Sequence, residues 1–267
     1  MPSFICTTCG VGFALSDTPP AHCAICADER QYVNAKGQSW TTLAELQATH
    51  TNDIRELEPG LWGIGATPQI AIGQRALFMP QPGGGVLWDC TPLVTDAAVA
   101  HIKAHGGLRA IAISHPHFYS SMVDWSEAFG GIPIHIHEAN LPHVMRPSEH
   151  IRSFSEDRID LGQGVTVTRA GGHFTGSAVL HWPGLDGKGV LMTGDTIMVV
   201  PDTRWVSFMY SYPNLIPLPA REVTRIVGTV DDLGYDRIYS AWWDRVMTSD
   251  AKARLRASAE RYIAAIA

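Results

Sequence analysis

The chain has no apolar run approaching the ~18 residues of a membrane span, no cluster of lysines and arginines, and only one cysteine after residue 26. Each absence excludes something. Without a long apolar run a spanning helix is not expected. With 26 acidic against 20 basic residues and a formal charge of -6, there is no basic face to neutralise a phosphate backbone, so no nucleic-acid partner is expected either. The opening MPSFICTTCG has neither a basic start nor the apolar core of an export signal, which makes the cytoplasm the expected compartment. What the chain does have is 267 residues, 45% of them apolar, enough to bury a substantial core in one large domain with a small one beside it.

Four of the five cysteines fall in the first 26 residues as two C-x-x-C pairs, Cys6/Cys9 and Cys23/Cys26, thirteen residues apart. Each pair turns two thiolates to one side, and two pairs supply the four sulfurs of a tetrahedral metal site. A reducing compartment disfavours the competing reading of two disulfides. Gly10 gives the first pair the tight turn of zinc ribbons and of rubredoxin iron knuckles alike, and Zn²⁺ is the expected ion. Four thiolates leave no open coordination position, so this module, residues 1–30, reads as structural and as folding with its metal. Residues 31–58 read as a polar connector with a helix-like stretch over 41–49.

From Leu61 onward short apolar segments alternate with Gly and Pro: 61–64, 69–72, 75–79 and 85–90 predict strands of an antiparallel sheet. Cys90 reads as a small core residue. Thr95 or Asp96 caps a helix bearing Val99 and Ile102, ended by Gly106-Gly107, and the strand 110–113 runs into SHPHFYSS, residues 114–121. Here His115 and His117, flanking Pro116, present two imidazoles from a rigid turn. A helix through Met122, Trp125 and Phe129, a strand over 132–136 and a helix from about Glu138 follow. His135 and His137 form a competing H-x-H pair, with His137 the better placed; His143 and His150 read as solvated. The strand 165–168 leads to Gly171-Gly172-His173, and the strand 189–192 to Thr193-Gly194-Asp195. One histidine and one carboxylate, each at a strand end, are the partners that a metal already holding imidazoles accepts. RWVSFMYSY, residues 204–212, reads as packing beneath a loop or as a substrate wall. The stripes Val223, Ile226, Val227, Val230 and Leu255, Ala259, Tyr262, Ile263, Ile266 read as core faces of two helices.

The order H-x-H, G-G-H, T-G-D resembles the metallo-β-lactamase fold superfamily, with a match from about Pro59 to Met247. The resemblance implies an α+β chain, with an αββα sandwich over residues 59–267 preceded by the zinc-ribbon module. It implies that His115, His117 and His173 are imidazole ligands of one metal, that Asp195 is a carboxylate ligand, and that Asp89 supports the site from behind the ligands. The superfamily motif continues H-x-H-x-D-H, but Tyr119 and Ser120 stand at the last two positions. The usual Gly-His turn after the last strand is replaced by Trp242-Trp243-Asp244-Arg245. A second metal therefore lacks its ligands unless Asp244 or His137 compensates. Ser120, His137, Trp242, Trp243 and Asp244 are expected around the pocket, and Trp242 and Trp243 suggest a small organic substrate.

The implied activity is metal-dependent hydrolysis of a small ester, lactone or thioester at a mononuclear site. Asp195 is the base or orienter, and Tyr119 is a hydrogen-bond donor to an oxyanion. Two alternatives stay open: a mononuclear Fe²⁺ oxygenase of the persulfide dioxygenase type, and a degenerate relative that binds a ligand without turnover. The active-site ion is accordingly Zn²⁺ or Fe²⁺. The expected partner is a small-molecule substrate, with homo-oligomerisation or docking through the ribbon also open.

Overall fold

The computed structural model describes residues 1–267. By internal contacts the chain divides into two compact units, Met1–Ile136 with Leu141–Ser153, and His137–Asn140 with Phe154–Ala267. No helix is long and apolar enough to cross a membrane.

In the first unit, β1 (Ser3–Cys6), β2 (Gly12–Leu15) and the short helix α1 (Ala24–Ala27) form the cysteine module, and β3 (Trp40–Thr42) completes its three-stranded sheet by pairing with β1. Residues 31–58, read as a connector, thus carry a strand at either end of a short helix. Trp40 belongs to the ribbon, its ring edge-on to Phe13 at 5.0 Å. Beyond the helix α2 (Leu43–Thr49), β4 (Thr51–Glu58) is the edge strand of the main sheet, paired along its length with β5 (Leu61–Thr67). The helix starts at Leu43 because Thr42 and Glu45 form a reciprocal capping box.

β6 (Ala76–Met79) and β7 (Gly85–Trp88) continue the antiparallel run, and both are buried at every position. The apolar stretch Gln69–Ile72, expected as a strand, is a turn. Ala71 sits at φ +52 and Gly73 at +74, left-handed values that break a ladder. The helix α3 (Asp96–Ala104), capped by the Thr95 hydroxyl, carries the chain back so that β8 (Leu108–Ala112) lies parallel to β7. After α4 (Met122–Ala128), β9 (Ile134–His137) adds in parallel and β10 (Ile151–Phe154) ends a seven-stranded sheet of order β10-β9-β8-β7-β6-β5-β4. The helix expected from Glu138 is a 3-10 helix, Glu138–His143, with Pro142 inside it.

The second unit holds a six-stranded sheet whose first four strands are β11 (Arg158–Asp160), β12 (Thr166–Arg169), β13 (Ala178–Trp182) and β14 (Val190–Gly194). Two short ribbons follow, β15 (Met198–Val199) with β16 (Val206–Ser207), and β17 (Met209–Ser211) with β18 (Ile216–Pro217). The helix α5 (Ala220–Thr229) then allows β19 (Arg237–Ser240) to pair parallel to β14, before β20 (Val246–Met247) and α6 (Ala251–Ala265) close the chain. Val223, Ile226, Leu255 and Ala259 are buried with Leu191 and Ile238 in one apolar cluster, as the helical stripes require. Each large aliphatic side chain buried there contributes about 1.5–3 kcal/mol of transfer free energy. Phe208 is fully buried in the same cluster, which settles that part of residues 204–212 as packing.

Candidate metal centres

The four N-terminal sulfurs are buried and none is in a disulfide. Cys6 Sγ lies 3.6 Å from Cys26 Sγ, and Cys9 Sγ 3.6 Å from Cys23 Sγ. Zn–S bonds of about 2.3 Å in a tetrahedron put neighbouring sulfurs about 3.8 Å apart, so the thiol set fits a single ion. Hydrogen bonding among the sulfurs holds Cys6 and Cys23 below the ordinary thiol pKa and pushes Cys9 and Cys26 above it. Four thiolates at this spacing coexist only around a cation. The Gln38 side-chain amide donates to Cys6 Sγ at 3.1 Å. Around the sulfurs the apolar core is small, with Val11 and Ile25 its only other fully buried members. Cys90, outside this group, is a fully buried core residue whose thiol is pushed up by burial.

His115 is oriented by a relay that begins at Asp89. Asp89 takes a left-handed φ of +59 just after β7, and its Oδ1 accepts from both the backbone N–H and the hydroxyl of Ser114, each at 2.8 Å. The Ser114 hydroxyl is thereby committed as a donor, so at 2.9 Å it accepts from His115 Nδ1–H. That arrangement places the proton on Nδ1 and leaves Nε2 for a metal. His117 follows on a 3-10 turn, Pro116–Phe118, and is buried. Tyr119 ends the turn at 1% exposure, and burial pushes its phenol well above the ordinary tyrosine range. Ser120, at φ +43, accepts from the Gln74 side-chain amide at 2.9 Å.

The third histidine is held by a loop that folds on itself. The N–H groups of Ala170 and Gly171 both donate to Ser177 O, and Phe174 N–H donates to the Ser177 hydroxyl, each at 2.8 Å. Gly172 sits at φ +83, and a Cβ there would lie 2.7 Å from Ile226 Cδ1, so only glycine fits before His173. Gly176 N–H donates to Asn140 Oδ1 at 3.1 Å, anchoring the far end. His173 Nδ1 donates to Met209 O at 3.2 Å, which leaves Nε2 as the ligand atom, 3.8 Å from Asp195 Oδ2. The Tyr212 hydroxyl lies 3.0 Å from the backbone oxygen of Asp195 and 3.1 Å from that of Ser207.

The ligand atoms of His115, His117, His173 and Asp195 all lie within 4.8 Å of one another, and all four residues are buried. Two atoms each about 2.0–2.2 Å from one ion can be at most about 4.4 Å apart, so the 3.8 Å between His173 and Asp195 fits a shared cation. Three imidazoles and a carboxylate are a donor set that Zn²⁺ or Fe²⁺ accepts.

His137 is not among the grouped ligands. It is buried, its Nδ1 accepts from Ala139 N–H at 3.2 Å, and desolvation lowers its pKa. Asp244 is exposed and paired with Arg245 at 2.5 Å. Trp242 and Trp243 are half-buried, as are His135, His143 and His150. Ser114, Gln74, Asn140, Met209 and Tyr212 were not singled out from the sequence. Ser114 was legible as a hydroxyl beside a histidine; Asn140 and Tyr212 act across 36 and 17 residues and leave no local signal.

No family model matches the chain. The "uncharacterized protein YmaE" of Bacillus subtilis (strain 168) is 46% identical over 269 residues, spanning all of this chain and 97% of that one. Among solved structures, VMB-1 aligns over 81% of this chain and 98% of its own with a TM-score of 0.62 at 14% identity. The DIM-1 metallo-β-lactamase aligns over the same shares at 0.61 and 14%. The metallo-β-lactamase SMB-1, in a complex with mercaptoacetic acid, covers 78% of this chain and 95% of its own at 0.51 and 18% identity. The chain therefore belongs to the family of YmaE, with a metallo-β-lactamase fold that carries a four-cysteine module at its N-terminus.

Proposed function

We propose that this protein is a metal-dependent hydrolase of a small ester, lactone or thioester, working with one ion held by His115, His117, His173 and Asp195. The observation that carries this reading is the buried three-histidine, one-carboxylate group, combined with Tyr119, Ser120 and an exposed Asp244 where ligands of a second ion are expected. A divalent ion in such a set supplies Lewis acidity towards a carbonyl oxygen and lowers the pKa of water.

The residues supply the rest. Asp195 accepts a proton from the attacking water as its oxygen bonds to the carbonyl carbon, and returns that proton to the alkoxide or thiolate as the C–O or C–S bond breaks. Tyr119, kept protonated by burial, donates a hydrogen bond to the oxygen that gains negative charge and cannot serve as the base.

Turnover of a panel of thioesters, lactones and aryl esters by zinc-loaded and iron-loaded protein tests the reading. Asp195→Ala should lower kcat/KM by about 100-fold or more, and Tyr119→Phe by about 10-fold, since losing one oxyanion donor costs less than losing both a ligand and the base. Asp195→Ala turning over as fast as the parent would remove the proposed role.

A further inference from the structure

The cysteine module meets the histidine loop at Ser120. We propose that Gln74 and Ser120 are positioning residues through which the module's Cys6–Cys9 knuckle sets the His115–His117 loop, coupling metal affinity at the two sites. The inference rests on the reading that His115 and His117 hold an ion.

Gly10 closes the knuckle at φ +84, with its N–H donating to Cys6 O at 2.8 Å. A Cβ at Gly10 would lie 2.6 Å from Pro92 Cγ and 3.2 Å from Ala71 Cβ, so the knuckle backbone itself is seated on these residues. Two residues on, Gly12 N–H donates to the backbone oxygen of Ser120 at 3.0 Å, and a Cβ at Gly12 would sit 3.2 Å from that same oxygen. The Gln74 amide, on a side chain 3% exposed, donates to the Ser120 hydroxyl at 2.9 Å. Ser121 Oγ then donates to Pro92 O at 2.8 Å, returning the loop to the residue under Gly10.

Ser120 is therefore gripped at its carbonyl by the knuckle strand and at its hydroxyl by Gln74. It is a non-glycine residue in the left-handed region, a conformation that persists only where surroundings impose it. It stands three residues after His117, and Met122 N–H bonding to Tyr119 O and Cys90 N–H to Phe118 O tie the intervening turn into the same body. A change in the path of Gly10–Gly12 moves the acceptor that Ser120 presents and with it the pitch of the His117 turn. The module has too small a core to keep that path without its ion. Metal in the knuckle and metal on the histidines thus favour the same loop geometry, and the coupling runs equally in both directions.

The test uses the full chain loaded with zinc, with zinc content per chain and competition against a chromophoric chelator as readouts. Gln74→Met keeps the volume and removes the donor. It should keep the cysteine-bound zinc, as should Ser120→Ala, while each lowers affinity at the histidine site by about 5–100-fold. The double variant should be no weaker than the worse single one. Cys9→Ser should lose the module's zinc and weaken the histidine site by a similar factor. Histidine-site affinities within twofold of the parent in Gln74→Met and Cys9→Ser would overturn the coupling. If Gln74→Met loses both ions through misfolding, Ser120→Ala, which removes one oxygen, decides by the same criterion. His115→Ala separates the two readings: retention of both ions defeats the metal assignment, whereas loss of one ion beside unchanged affinity in the coupling variants defeats the coupling alone.

Discussion

Ser114 decides which nitrogen His115 offers. Its hydroxyl has one proton, and that proton goes to the Asp89 carboxylate, so its lone pair is what His115 Nδ1 meets. A buried carboxylate two bonds removed from a ligand ring also raises that ring's basicity towards a cation. Ser114→Ala removes the relay without adding bulk, leaves Asp89 one donor poorer, and frees the ring to hold its proton on either nitrogen. Metal affinity at the histidine site should fall about 10–100-fold, read by chelator competition. Ser114→Thr keeps the hydroxyl and should restore most of it. Unchanged affinity in the alanine variant would show that packing alone orients His115, for instance through the Phe118 ring edge at 4.6 Å.

At the scale of elements, the loops that carry the grouped histidines and Asp195 were legible and the polar strands were not. H-x-H, G-G-H and T-G-D stand out because an apolar strand ending in a turn is a local pattern, and each turn's chemistry lies in adjacent residues such as Gly171 and Gly172. Thr51–Glu58 is different: Ile54 is its only apolar residue before Leu57, and no position is fully buried, so no buried face marks its period. Its pairing with β5 makes it a strand, and an edge strand is where polar sequence is tolerated. Gln69–Ile72 failed in the opposite way, since apolar residues between Pro68 and Gly73 fill a turn under the cysteine module. Asn140 shows the same limit within the site. Its carbonyl anchors Gly176 across 36 residues, and nothing local in the sequence announces the pair. Asn140→Ala leaves the buried Gly176 N–H without that acceptor and should cost about 1–3 kcal/mol. Hydrogen exchange at the Gly176 amide should accelerate, and the histidine site should bind zinc more weakly because His173 lies on the loosened loop. Parent-like protection at Gly176 would place the anchor elsewhere.

For the whole molecule, the three phenols whose protons the fold holds most strongly set an alkaline limit to stability. Burial pushes Tyr119, Tyr212 and Tyr235 above the ordinary tyrosine pKa, with Asp195 adding to Tyr212 and Asp231 to Tyr235. Below about pH 10 both the folded and the unfolded chain hold these protons, and no dependence arises. Above it the unfolded chain releases protons that the folded chain keeps. The folded state then binds more protons than the unfolded one, and stability falls as pH rises. Each phenol contributes a slope of about 1.4 kcal/mol per pH unit, so the three together reach about 4 kcal/mol per unit before other groups are counted. Urea unfolding midpoints should be flat in this respect from pH 8 to 9.5 and drop steeply between 10 and 11. Absorbance near 295 nm should show at least these three of the seven tyrosines ionising only as the protein unfolds. Replacing Tyr119 with Phe should remove about one third of the slope and Tyr235→Phe another third, because each deletes one retained proton without adding a charge. Midpoints that stay level through pH 11 in the parent, or full ionisation of all seven phenols in folded protein, would show that these rings reach solvent in motions far smaller than unfolding.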